Sequence, residues 1–460
     1  MKTYPTSNRA GGSLARLGLA GLGLALALSA CSAPGSTGAK PSTPAATSDA
    51  ITAPVTAEQV AALGDVTLHV WADQGEESLM KLIVPKYQAA FSNVKVDIQY
   101  KSFNDLTATV VNALNSTEAP DVAQGNQGWA TDGALVKAGL LRPLDDVADA
   151  YGYRAAAGAA ISQLQWSPDG KTFGSGTLYG LAPDNQMVGV FYNKTKLEDL
   201  GLAAPTSFDE LTAALAKAKA ANEIPIMLGN SDKATAMQAF SVVQGASTPA
   251  ADTVAWITGQ SGADFNNAGN LKALDTWTSW VKDGYFADGY DARSPDDAAA
   301  SFAKGKGVFL FAGNWQAGTI SDGKTFGFMA APKSAANEAA SSGSFGLNWH
   351  VSAKSKLTPA ALAFVGMIND PKNAALLAEV NRVPIAADGV TSTDAMFTAL
   401  VAASKQQLST NGSLYWYDWA TNSMFDTFTS GLQELMTGRI TSDKLLTQVQ
   451  QDWADFHTEK

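Results

Sequence analysis

One segment of the chain fits the loop pattern with which many nucleotide-binding proteins hold phosphate. Residues 318–325 read GTISDGKT. Phosphate binding by this pattern requires a strand before the loop and a helix after it. Here a strand-like run, Phe326–Met329, follows the loop, and residues 321–324 have the composition of a tight turn. We therefore predict a surface turn at this position and no nucleotide site.

Side chains that commonly act as nucleophiles or metal ligands are sparse. Cys31 is the only cysteine, the three histidines (His69, His350 and His457) are far apart in the sequence, and no Gly-x-Ser-x-Gly elbow is present. We therefore predict no cofactor and no metal site. The chain has 43 acidic residues, so a pair of carboxylates of the kind that glycoside hydrolases use remains an open alternative.

Composition excludes two classes of protein. With 46% hydrophobic and 16% charged residues the chain is globular and not disordered. Its formal net charge of −11 disfavours a protein that binds nucleic acid through phosphates. A length of 460 residues exceeds one ordinary core and favours two lobes.

Hydrophobic periodicity predicts an α/β fold. Residues 66–123 alternate strand and helix patterns in the order β-α-β-α-β, which implies parallel strands with right-handed crossovers. A second series begins near residue 189, and Ser207 with Glu210 forms a capping box that opens one of its helices. Further strands are predicted at 224–228, 308–311 and 326–329, and helices dominate 359–380 and 423–457.

The first 31 residues have the features of an export signal. Lys2, Arg9 and Arg16 precede an apolar stretch that is too short to span a membrane. Residues 28–31 read LSAC and resemble the lipobox of bacterial lipoproteins, which implies cleavage before Cys31 and acylation of its thiol. A plain cleaved signal is the alternative. Residues 31–60 then read as an acylated cysteine and a Pro-rich flexible tether, with the folded part starting near Asp65.

Residues 65–460 resemble the bacterial extracellular solute-binding proteins of ATP-driven (ABC) sugar importers. The resemblance lies in the order and spacing of several segments: Val70–Asp73, Ala119–Val122, Lys137–Leu144, Tyr179–Pro183, Val190–Lys194, Leu200–Leu202, Pro205–Leu211, Phe302–Lys306, Gly313–Trp315 and Leu435–Thr441.

The resemblance implies an α/β, two-lobe, periplasmic-binding-protein-like (type II) fold with a hinge and a ligand cleft between the lobes. The implied N-lobe is residues 61–183 plus 347–375, and the C-lobe is residues 184–346 plus 376–460. The chain would cross between lobes near 182–188, 343–348 and 372–380. Such a protein would be a lipid-anchored monomer on the extracellular face of the cell membrane. It would capture a sugar, a di- or oligosaccharide, and deliver it to an ABC permease.

A sugar-binding cleft needs aromatic rings for the C–H faces of the guest and polar side chains for its hydroxyl edges. Strand ends and lobe crossings are where such residues are expected. Trp315 is the main stacking candidate, because similar proteins place an aromatic residue there. The full candidate set is Asp73, Gln74, Asn126, Gln127, Asn185, Gln186, Asn314, Trp315, Asn348, His350, Tyr417, Asp418 and Trp419.

Several alternatives stay open at this point. Asp73 could instead cap the following helix, Trp315 could be a core residue, and the aromatic cluster at 415–419 could be a packing corner. Strand alternation puts Asn348 and His350 on the face opposite Trp349, and the sequence does not say which face lines the cleft. A receptor for a peptide or another non-sugar solute and a secreted glycoside hydrolase are the competing functions.

Overall fold

The structure, a computed structural model, describes residues 50–458. The expected export signal at 1–30, Cys31 and the tether up to residue 49 lie outside the described residues. Among residues 50–458, no helix combines the length and apolar character that crossing a membrane requires.

Strands and helices alternate along most of the described chain. The strands are β1 (Val66–Asp73), β2 (Val94–Lys101), β3 (Val122–Gly125), β4 (Gln165–Trp166), β5 (Thr177–Leu178), β6 (Asp184–Asn193), β7 (Ile226–Met227), β8 (Phe309–Gly313), β9 (Phe326–Met329), β10 (Gly343–Phe345), β11 (Asn348–Val351) and β12 (Val383–Pro384). The helices are α1 (Ala57–Ala61), α2 (Glu77–Ala90), α3 (Phe103–Asn115), α4 (Ala134–Lys137), α5 (Asp145–Ala150), α6 (Tyr153–Ala157), α7 (Lys194–Asp199), α8 (Phe208–Ala220), α9 (Ala234–Gly245), α10 (Ala250–Ile257), α11 (Ala268–Lys282), α12 (Pro295–Ala303), α13 (Thr358–Asn369), α14 (Ala374–Glu379), α15 (Ala395–Ser409), α16 (Met424–Met436) and α17 (Ser442–Thr458).

The first lobe is built on a four-stranded sheet in the order β11-β3-β1-β2. Strands β1, β2 and β3 are parallel, as the β-α-β-α-β pattern predicts, and β11 joins β3 antiparallel. Leu68, Val70 and Ala72 alternate along β1 and are buried. They belong to an apolar core that also includes residues of α2 and α13.

The second lobe is organised around the ten-residue strand β6. Strands β8, β9, β10 and β12 all pair antiparallel with β6, and β7 adds parallel to β8. The capping box at the start of α8 is present, since Ser207 Oγ accepts from the Glu210 amide and Glu210 accepts from the Ser207 amide. The phosphate-loop look-alike is the expected turn: Asp322 accepts from the Lys324 amide, and strand β9 follows.

Three connections between the lobes meet at the first residues of β6. Asn185 pairs with Phe345 of β10 on one side and with Val383 of β12 on the other. The third connection lies later than the predicted 372–380, because α14 still packs against α2 of the first lobe. The chain makes its third crossing after α14 and before β12.

The folded body begins earlier than the sequence analysis predicted. Val55 and Val60 are buried, and a capping box at Thr56 opens α1. The Ile51 amide donates to Asp146 Oδ2 at 2.8 Å. Residues 51–60 therefore pack on the first lobe, and this part of the expected tether is not free of the body.

Candidate functional site

Two tryptophans form a partly accessible pair beside the connections between the lobes. Trp315 follows β8 and remains 38% exposed, and its ring centroid lies 5.8 Å from that of Trp416 at an interplanar angle of 52°. The Trp315 ring lies close over Gly313, where an added Cβ would come within 2.2 Å of it. The half-buried Trp416 donates its indole N–H to Ser344 Oγ of β10. A glycine behind one ring and a hydrogen bond from the other fix the pair in orientation.

The backbone next to this pair is strained. Tyr415 has φ = +60°, a left-handed conformation that costs free energy for a residue with a Cβ and often marks functional sites. Its ring lies 5.5 Å from that of Trp419. The turn therefore directs Trp416 towards Trp315 and Tyr415 towards Trp419.

Residues of the two lobes make direct contact on one side of the connections. Asn126, which follows β3, donates its amide to Asp418 Oδ2 at 2.6 Å and accepts from the Trp419 indole at 3.3 Å. Gly128 has φ = +86° and lies against Trp419, leaving no space for a side chain. Phe173 packs edge-on to Trp419 with centroids 5.9 Å apart. Asn126, Asp418 and Trp419, three predicted site residues, are thus brought together.

Asp418 is a buried carboxylate that accepts a hydrogen bond from the Asn126 side-chain amide. Burial raises the pKa of Asp418 to about 6, although the hydrogen bond from Asn126 opposes the shift. The neutral Asn126 amide compensates this buried negative charge only in part, so an additional hydrogen-bond donor would stabilise it. A sugar hydroxyl is such a donor.

Carboxylates from both lobes also approach each other near β1. Asp73 accepts from the Gly75 amide at 2.8 Å, so it caps the turn that leads into α2. Burial raises the pKa of Asp73 to about 6, and the charges of Glu76 and Asp296 add to the shift. Asp296 lies in the first turn of α12 and accepts from Gln316 at 3.2 Å. Gln74 is exposed beside Asp73, and Gln186 on β6 is partly accessible.

Arg382 lies at the third connection, where its guanidinium binds two carboxylates of the protein. Its guanidinium donates to Glu76 Oε1 at 2.8 Å and to Asp184 Oδ2 at 3.0 Å, and all three side chains are buried. Burial raises the pKa of Asp184, and the positive charge of Arg382 opposes that shift. Arg382 therefore ties the turn after β1 to two of the connections.

Three predicted residues use their side chains for hydrogen bonds within the connections and the second-lobe core. Asn185 donates to the Pro384 carbonyl at 3.1 Å, and Asn314 donates to the Asn185 carbonyl at 3.0 Å. Tyr417 is buried and donates its hydroxyl to Gln244 at 2.6 Å. The structure places these side chains inside the protein, away from the accessible surface between the lobes.

Three further predicted residues lie under the surface of the first lobe. Gln127 donates to the Gly346 carbonyl at 2.7 Å, and Asn348 donates to Asp132 at 2.6 Å. His350 is fully buried beside the same carboxylate. The predicted strand alternation is confirmed, since Trp349 packs on the opposite face against Phe364. Neither face of β11 is open, because residues 127–133 cover the side that bears Asn348 and His350.

Four residues near the site, Trp416, Tyr415, Asp296 and Gln316, are not among the candidates predicted from the sequence. Trp416 and Tyr415 belong to the dense aromatic cluster that the sequence shows at 415–419, which is the signal that could have found them. Asp296 and Gln316 carry no such signal, because their relation to Asp73 arises only when the two lobes meet.

The chain matches the family model described as bacterial extracellular solute-binding protein over residues 83–404. It therefore belongs to this family of binding proteins. A comparison with curated proteins finds no match.

Solved structures of solute receptors have the same fold. A chitin oligosaccharide binding protein aligns with a TM-score of 0.72 at 18% identity, covering 85% of this chain and 99% of the other. The GacH receptor of Streptomyces glaucescens GLA.O, solved without ligand and with acarbose, aligns at 0.67 and 18%, covering 86% and 99%. Lmo0181 of Listeria monocytogenes, solved with cycloalternan, aligns at 0.68 and 16%, covering 85% and 98%. At these identities the comparison supports the two-lobe fold.

Proposed function

We propose that this protein is a receptor that binds a di- or oligosaccharide between its lobes and delivers it to an ABC permease. The observation that carries the proposal is the partly accessible Trp315–Trp416 pair. Gln316, the neighbour of Trp315, donates to Asp296, whose charge acts on Asp73 of the other lobe. Aromatic faces accommodate the apolar faces of a sugar ring, and carboxylates accept its hydroxyl protons. The three solved proteins reported above are named for, or were solved with, a saccharide, which supports this class of guest.

Electrostatics favour an uncharged guest over an acidic one. Asp73 and Asp296 approach from opposite lobes, and the charge of Asp296 also raises the pKa of Asp232, which burial has already raised. Asp73 and Asp296 lie at the starts of helical segments, and Asp232 lies two residues before α9. Carboxylates here offset the positive helix ends that would otherwise attract an anion. An anionic guest would meet like charges, whereas hydroxyl groups would find acceptors.

We further propose that the mature protein is anchored through acylated Cys31 on the extracellular face of the membrane, acts as a monomer and has no catalytic activity. The lipobox-like sequence supports the anchor, and membership of a family of binding proteins supports the absence of catalysis. The three connections at the start of β6 would act as the hinge, with the first lobe extending to residue 379.

A ligand panel tests the receptor proposal. Chitin, xylan and malto-oligosaccharides, raffinose, acarbose, D-galactose and a mixed tripeptide would be screened by thermal shift, since a ligand that binds only the native state raises the melting temperature. We expect at least one saccharide to bind with one-to-one stoichiometry and to be recovered intact. Turnover of an oligosaccharide would instead support a glycoside hydrolase, and stabilisation by the tripeptide alone would support a peptide receptor.

A further inference from the structure

The imidazole of His350 lies in a slot between two glycines. An added Cβ at Gly125 would lie 2.7 Å from Nε2, and one at Gly180 would lie 2.6 Å from Cε1. Ring atom Nδ1 is 2.8 Å from the Tyr179 carbonyl oxygen, and Nε2 is 3.0 Å from Asp132 Oδ1. The ring is therefore held in one orientation with an oxygen at each nitrogen.

Both of these oxygens can only accept hydrogen bonds. A neutral imidazole has one N–H and one lone pair, so one of its nitrogens would face an acceptor without a proton. Only the imidazolium serves both partners. Burial disfavours its charge, but the negative charge of Asp132, in close though poorly aligned contact with Nε2, and the hydrogen bond to the Tyr179 carbonyl outweigh burial and raise the pKa of His350 above its usual 6.5. Asp132 supplies the opposing charge, and Tyr179 faces the ring with its backbone carbonyl only.

A chain of side chains connects this ring to the candidate sugar site. The second Asp132 oxygen accepts from Asn348, whose own oxygen accepts from Gln127 at 3.1 Å. Gln127 also donates to the Gly346 carbonyl at 2.7 Å, in the second connection between the lobes. The Asp132 amide donates to the Asn126 carbonyl at 3.1 Å. The ring is thus linked, through Asp132, to the loop that bears Asn126 and to the 345–347 connection.

We propose that His350 is a positioning residue whose protonated ring, through Asp132, holds the Asn126 loop and the 345–347 connection in the sugar-binding arrangement. This inference rests on the proposed receptor function. Loss of the proton leaves one oxygen facing a bare nitrogen, which weakens the Asp132 ion pair and loosens the loop. Sugar affinity should then fall as pH rises through the titration of His350.

The test combines a pH titration of the ring with binding measurements. The tightest-binding sugar of the panel would be titrated by calorimetry from pH 7 to 10, above the range in which Asp73 and Asp418 change charge. Side-chain ¹⁵N NMR follows the histidines, and His350→Gln assigns the signal. We expect a buried imidazolium at pH 7 and an affinity that falls at least threefold across its titration.

Two variants separate positioning from general destabilisation. Asp132→Asn removes the stabilising charge, so the NMR midpoint of His350 and the midpoint of the affinity curve should move together towards lower pH. His350→Gln should bind more weakly at pH 7 and lose the pH dependence. If this variant does not fold, the measurements on the wild-type protein and on Asp132→Asn still test the positioning role of His350. A neutral ring at pH 7, or an affinity unchanged while the ring titrates, would overturn the inference. Failure of every sugar to bind would instead count against the receptor function itself.

Discussion

Replacing Trp315 with alanine should weaken sugar binding at least tenfold while leaving the protein folded. The side chain is 38% exposed and leans on Trp416, so its accessible face is available to a guest without rearrangement of the core. The substitution removes one wall of the aromatic pair. It leaves the hydrogen bond between Trp416 and Ser344 in place.

The magnitude follows from the exposed area. A tryptophan buries roughly 150–250 Å² when fully covered, so the exposed third offers about 60–90 Å² to a sugar. At about 25 cal/mol per Å² this area is worth about 1.5–2 kcal/mol. Stacking adds about 0.5–1.5 kcal/mol beyond area. The sum of about 2–3.5 kcal/mol exceeds the 1.4 kcal/mol that corresponds to a tenfold change, which leaves room for partial compensation by Trp416.

Calorimetry at pH 7.5 with the tightest-binding sugar of the panel would measure the effect. Trp315→Phe keeps a flat ring and should stay within about fivefold of the wild-type affinity. Leu408→Ala truncates another exposed hydrophobic residue, 46% exposed on α15, and should bind normally. Urea unfolding should show a loss of about 2–4 kcal/mol for Trp315→Ala, because the covered part of the side chain, roughly 90–155 Å², is worth that much at about 25 cal/mol per Å². A folded Trp315→Ala protein with unchanged affinity would remove Trp315 from the site.

Two further predictions concern Asp418 and Cys31. Sugar affinity should fall threefold or more between pH 7.5 and 5, because Asp418 takes up a proton near pH 6 and accepts more weakly; Asp418→Asn should weaken binding at pH 7.5 and reduce the pH dependence. Because the pKa of Asp418 is raised above its ordinary value, the stability that this group contributes is fully present below pH 3.8 and is lost as pH rises through about 6. Protonation of Asp418 at low pH should therefore weaken sugar binding without unfolding the protein. A sugar affinity that does not change between pH 7.5 and 5 would contradict the assigned role of Asp418. Cys31→Ser should release the expressed protein from the membrane fraction and abolish its labelling by palmitate, whereas a variant that stays membrane-bound and labelled would refute the anchor.

Local sequence patterns sufficed to predict most of the framework. Alternating apolar residues gave the parallel β1-β2-β3 arrangement, and the capping box placed the start of α8. Helix α1 was missed because it is only five residues long and lies in a segment rich in Ala, Pro and Thr. Its order comes from tertiary contacts such as the burial of Val60, which no local pattern shows. The third connection was placed too early because α14 continues a helical pattern whose partner, α2, lies almost 300 residues away.

The site was harder to predict, because the same residue types serve recognition and structure. Asn185 and Asn314 lie at a crossing, as expected, yet their amides are used on backbone carbonyls. The connections are covered on both sides, and a buried carbonyl left unpaired would be costly. The sequence reveals a carboxamide at a crossing, but only the fold reveals whether the neighbouring backbone already needs it. For Trp416, in contrast, the partial exposure that marks it as a platform depends on the left-handed turn at Tyr415.

The contact between Asn126 and Asp418 bears on which guests the protein can accept. Asn126 donates a hydrogen bond to Asp418 across the lobes. A guest that enters between them must offer Asp418 a donor and Asn126 an acceptor, or it leaves a buried carboxylate and a buried amide unpaired. A hydroxyl group does both at once. A guest of the same shape without hydroxyls would pack equally well on Trp315 and Trp416. It could not replace the hydrogen bond between Asn126 and Asp418 with hydrogen bonds of its own. Selection between a sugar and a merely apolar ring therefore falls to Asn126 and Asp418, since the aromatic pair alone cannot distinguish them.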